Sequence, residues 1–126
     1  MLTEKDYCDY DTCVALKELG FDSLVDWYFK EDKSIASSLA RYRNTYIPRI
    51  NLYEAHKWLR EERSIYVTVG CPLIMNEGLG WSYEVCDKPW NGYSDDDCLK
   101  ASGGAYDSYE EALSEGIKEA VKLLNK

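Results

Sequence analysis

The sequence predicts an α+β fold, a two-layer sandwich in which a small, mainly antiparallel sheet of about three strands is covered by three helices, in the order α-β-α-β-β-α. Capped stretches with apolar residues at helical spacing supply the helices. Two stretches alternate apolar and polar residues with period two, and no helix lies between them. Strands joined so directly pair antiparallel, because a parallel pair needs a crossover. A further short stretch is rich in β-branched and aromatic residues.

Residues 11–19 read as the first helix. Asp9 or Asp11 caps it by accepting backbone N–H bonds. Gly20 ends it in a left-handed turn, with Phe21 packing back. Leu24 to Phe29 has strand composition. Lys30 to Lys33 reads as a turn, Ser34 to Arg43 as a helical turn or a loop, and Pro48 disfavours helix at Ile47. The second helix opens on Asn51 and Glu54, a capping-box pair with Asn in place of Ser or Thr. Ala55, Trp58 and Leu59 form its apolar stripe, while Lys57, Arg60, Glu61 and Glu62 face water. Ser64 to Val69 follows as a strand with Ile65, Val67 and Val69 on one face. Asn76-Glu77-Gly78 reads as a turn, and Trp81 to Cys86 alternates again as the second arm of a hairpin. Trp27, Trp58 and Trp81 fit the core pattern. Residues 87–106 read as a long loop. The last helix is capped by Asp107 with Glu110 or by Ser108 with Glu111, and Leu113, Ile117, Ala120, Val121 and Leu124 form its apolar face.

A length of 126 residues suits one domain, 1–126, and 45% apolar with 30% charged residues is a globular composition. No apolar run approaches the roughly 20 residues of a spanning helix, so no membrane is expected. The polar, acidic N-terminus is unlike a signal peptide, and a cytoplasmic location is expected. The five cysteines include no Cys-x-x-Cys pair, and their odd number argues for buried thiols rather than a disulfide framework. A net charge of −8 argues against nucleic acid, whose binding needs cationic surface. The charge is uneven, however. All five arginines fall between 41 and 63, where with Lys57 and against Glu54, Glu61 and Glu62 they give +3, leaving −11 elsewhere.

No motif here implies catalysis, a metal or a cofactor. His56 is the only histidine and has no supporting motif for a cysteine–histidine pair. Cys8 and Cys13 lack the second ligand pair of a zinc site. Asp95-Asp96-Asp97 fails the calcium-loop spacing, with Lys100 at the sixth place and Tyr106 at the twelfth. Gly103-Gly104 is followed by Asp107 and Glu110, which would repel phosphate. The candidate binding residues lie in two irregular stretches. Arg41, Tyr42, Arg43, Tyr46 and Arg49 mix guanidinium groups with aromatics, which suits a partner's side chains or an anion. Trp90 and Tyr93 are loop aromatics of the kind that anchor interfaces.

Three stretches resemble a family of small uncharacterised proteins from phages and prophages of gut Bacteroidetes. They are Tyr7-Cys8-Asp9-Tyr10 running into Leu16 to Asp22, then Ala55 to Glu61 with the strand Ile65-Tyr66-Val67, and Tyr109 to Leu113 with Ile117 and Ala120. The resemblance implies a bacterial host cell and carries no activity with it. The expectation is a non-enzymatic accessory protein that binds a host or phage protein. The alternative is a binder of a small anionic ligand such as a nucleotide at segment 41–63. An enzyme and an acidic nucleic-acid mimic have less behind them. An aromatic-rich sheet face left uncovered would favour a homodimer.

Overall fold

A computed structural model of the chain describes residues 2–22, 25–30, 32–37, 46–70, 80–87, 98–101 and 106–125, with Ser37 and residues 98–101 described in backbone alone. A 3-10 turn, Glu4–Asp6, precedes helix α1, Tyr10–Glu18. Strands β1 (Trp27–Phe29), β2 (Ile35–Ser37) and β3 (Ile47–Pro48) lead to α2, Leu52–Arg63. Then come β4 (Tyr66–Gly70), β5 (Ser82–Cys86), β6 (Cys98–Ala101) and α3, Tyr109–Leu124. The class is α+β, and every described ladder is antiparallel.

The expected succession of elements is present, with β2, β3 and β6 added to it. The strands form two sheets, β2-β1-β3 and β4-β5-β6, where the sequence suggests one. The added strands span only three, two and four residues, too few for alternation to show against the surrounding loop residues. Ser34 to Arg43 therefore begins as strand rather than as helical turn. The turn before it is closed by Lys33 N–H to Lys30 O at 2.8 Å, and the Asp32 carboxylate accepts the Ser34 N–H at 2.9 Å. Trp27 corrects an expectation: β1 turns Tyr28 inward and leaves Trp27 44% exposed. Composition marks such a strand, but three residues do not reveal which face is buried.

The caps act as their residue types dictate. Asp9 accepts the Thr12 N–H at 2.8 Å. Gly20, at φ +113°, closes a Schellman turn in which its N–H reaches Lys17 O and that of Phe21 reaches Leu16 O, both at 3.0 Å. Asn51 accepts the Glu54 N–H at 2.8 Å and its amide returns a bond to the Glu54 carboxylate at 3.0 Å. Of the two pairs expected for α3, Ser108 with Glu111 forms: Ser108 Oγ accepts the Glu111 N–H at 3.2 Å.

Helix α3 lies on β4 and β5. Leu113, Ile117, Ala120 and Val121 bury themselves against Val67, Tyr83 and Val85, the inward residues of the β4–β5 ladder. The crossing is closest at Gly116. A Cβ there would sit 2.6 Å from Val67 Cγ1 and 3.2 Å from Tyr83. The same apolar cluster reaches Tyr28 from the first sheet, Ile50 between β3 and α2, and Leu59 from α2. The N-terminal segment is tied down by an antiparallel bridge between Tyr7 and Asn51 and by Cys8 N–H to Ile50 O at 2.9 Å.

Gly116→Ala is expected to lower Tm. Alanine is the better helix former by about 1 kcal/mol, but overpacking a close crossing costs ~1–3 kcal/mol. A melt at or above the parent's would show that the crossing has slack. Ser64, which ends α2 at φ +56°, predicts the opposite. The left-handed backbone costs an L-residue roughly 1–2 kcal/mol, of which glycine's chain entropy returns about half. Ser64→Gly should therefore raise Tm by roughly 2–4 °C in a thermal melt.

Candidate functional site

Among the binding residues that the sequence suggests, the described ones are Tyr46 and Arg49. Arg41, Tyr42, Arg43, Trp90 and Tyr93 lie outside the described residues, as do Asn76 to Gly78, Asp95 to Asp97 and Gly103-Gly104. Arg49 follows β3 and donates its N–H to Trp27 O at 2.9 Å. Its guanidinium lies 3.9 Å from the Tyr7 ring centroid and pairs with the Glu4 carboxylate, leaving the side chain 10% exposed. Tyr46 is half-buried against the core, and its carbonyl accepts from Lys17 Nζ at 2.9 Å. The helical arginines of the same segment are also engaged. Arg60 sits 3.8 Å from the Glu61 carboxylate, and Arg63 donates to Leu19 O at 3.1 Å. Within its described part, the basic segment thus faces the protein's own acceptors.

Register places Trp27, Phe29, Ile35, Ile47 and Arg49 on one face of the first sheet, opposite Tyr28 and Pro48. Trp27 and Ile35 stand exposed there, and Leu2 lines the same cleft as Trp27, Asp26 and Arg49.

A second concavity is defined by the turn after α1. The Schellman geometry at Gly20 sends Phe21 back onto Trp58 of α2, with ring centroids 5.8 Å apart. These two buried rings floor a groove of about 410 Å³ whose rim, among the described residues, carries Asp22, Glu54, Glu61 and Glu62 against the single ammonium of Lys57. On α2 the spacing 54, 58, 61, 62 puts the carboxylates and Trp58 on one helical face. Burial pushes the Glu54 carboxyl above its ordinary value; the Asn51 amide opposes this and Asp26 adds to it. The groove therefore holds a negative field over aromatic faces, the chemistry that attracts an ammonium or guanidinium. Asp26, which lines the Trp27 cleft and acts on Glu54, joins the two concavities. The sequence signal for the groove was the i, i+4, i+7 spacing of Glu54, Trp58 and Glu61. The contribution of Phe21 and Asp22 came only with the fold.

Catalytic and metal chemistry find no assembled centre among the described residues. Groups of three or more potential metal ligands are absent there. Cys8, Cys13 and Cys86 are buried. His56 is half-buried on α2, where burial chiefly, and then Arg60, hold its imidazole below the ordinary value, partly opposed by the Val67 backbone. Among the described residues no helix is long and apolar enough to cross a membrane. Comparison of the chain with models of protein families, with curated proteins and with solved structures finds no match in any of the three.

As the only histidine, His56 gives a clean pH prediction. Its folded pKa lies below its unfolded one, so the unfolded chain binds the proton more readily. The stability this group lends is present above the unfolded pKa of about 6.5 and is lost as pH falls from there through the lower folded pKa. Tm should fall between pH 7.5 and about 5.5, and His56→Gln should flatten that slope. An unchanged slope in the variant would place the titration elsewhere.

Proposed function

We infer that this chain is a non-enzymatic accessory protein of phage or prophage type that binds a protein partner through a basic segment. The Phe21–Trp58 groove carries the reading, because among the described residues four carboxylates over two aromatic rings meet one local cation. A lysine or arginine side chain laid over Trp58 would relieve the unbalanced charge and gain a cation–π contact. The exposed Trp27, 44% accessible beyond Asp26, offers an apolar anchor alongside. Charged rims of this kind raise association rate and select partners more than they add raw affinity. The three stretches that resemble Bacteroidetes phage proteins support the biological setting, in the cytoplasm of a bacterial host. A small anion such as a nucleotide at segment 41–63 is the weaker reading, since Arg49 is already neutralised by Glu4.

Peptide-display selection on the immobilised protein tests this. Enriched peptides should carry Lys or Arg beside an apolar residue and should bind less tightly as salt rises. Replacing the exposed Glu61 and Glu62 together by lysine should weaken them by at least about tenfold, and Trp27→Ser should weaken them further. Peptides without basic enrichment, or indifferent to both variants, would sink the reading. Nucleotides at millimolar concentration that raise Tm would favour the anion instead.

A further inference from the structure

We propose that Cys8 and Cys13 form a redox-modification site, a vicinal thiol pair that closes to a disulfide when a hydroperoxide reaches it. The placement follows from the cap of α1. Asp9 is the N-cap, so Cys8 stands just before it and Cys13 at the fourth helical position. These are the two places whose side chains meet in a hydrophobic staple. Here both are cysteines, 3% and 0% exposed. The Cys13 thiol donates to the Cys8 carbonyl oxygen at 3.8 Å, which brings the two residues into contact.

Their surroundings make the two sulfurs unequal. The Ile50 N–H donates to Cys13 Sγ at 3.4 Å, while Cys8 is held from the other side by its own N–H to Ile50 O. The hydrogen bond from the Cys8 thiol, and then that from Ile50, pull the Cys13 thiol below its ordinary value against the cost of burial. The same pairing, together with burial, pushes Cys8 well up. Cys13 is therefore the more acidic of the two thiols and Cys8 the less acidic. Access comes through Cys8. It lines a cleft of about 320 Å³ with Tyr7, Tyr10, Phe29, Arg49 and Lys118, wide enough for hydrogen peroxide.

The chemistry balances with peroxide as the oxidant. The Cys8 thiol, the one that lines the cleft, attacks one peroxide oxygen, the O–O bond breaks, and the departing hydroxide takes the Cys8 proton and leaves as water, with Cys8 as the sulfenic acid. The more acidic Cys13 sulfur then attacks the Cys8 sulfur. The S–O bond breaks, the Cys13 proton goes with the oxygen, and a second water leaves. Two thiols and one peroxide give one disulfide and two waters.

The full chain tests it directly. After exposure to hydrogen peroxide and alkylation, trypsin releases residues 6–17, a single peptide holding both cysteines. Expected is that peptide two hydrogens lighter, with loss of both alkylatable thiols. Cys8→Ser and Cys13→Ser should each abolish the mass change. A peptide that still takes two alkyl groups when Cys86 has been oxidised would overturn the proposal. So would separate oxidation of each sulfur to the sulfinic acid, or a link that forms only after unfolding in urea.

Discussion

Helix α3 can cover β4 and β5 as closely as it does only because position 116 has no side chain. With Val67 Cγ1 2.6 Å from where a Cβ would be, the helix backbone sits directly on the sheet. That approach lets Leu113, Ile117, Ala120 and Val121 interlock with Val67, Tyr83 and Val85, and burial of these residues is the main favourable term available to a domain of this size. At its start α3 is steadied by Tyr109 edge-on to Trp81, 5.7 Å between centroids, and by the Trp81–Tyr106 bridge. Helix α3 also packs on α1 and α2.

Charge is arranged unevenly over this frame. The N-terminal side neutralises its cations locally. Arg49 meets Glu4 and Tyr7, and Lys118 meets Asp9 at 3.2 Å and Glu115 at 3.0 Å. The exposed Lys118 pairs contribute little stability, about 0–1 kcal/mol each. Their effect is to cancel the field around the Tyr7–Arg49 furrow. Around Phe21 and Trp58, among the described residues, the carboxylates outnumber the cations instead, and burial holds the Glu54 carboxyl above its ordinary value. Among the described residues this groove sets carboxylates around two aromatic rings, and the reading of a basic partner rests on that arrangement.

The sequence by itself determined the α+β class, the helices with their caps, and the β4–β5 pairing. Each of these is a local matter. Asp9, Asn51 and Ser108 bond to N–H groups three residues away, Gly20 relieves its own backbone, and alternation over five residues names the buried face of a strand. Tertiary structure decided the division into two sheets, the outward turn of Trp27 and the need for glycine at 116. It also decided the fate of Arg49, a residue the sequence singles out for a partner and the fold places on Tyr7 and Glu4. The physical reason is common to all of them. A strand of two or three residues has too little pattern to declare its face, and a side chain's neighbours across the fold leave no periodic trace along the chain. The groove lies between these limits, with its α2 side legible as helical spacing and its Phe21 side created only when the chain turns back at Gly20.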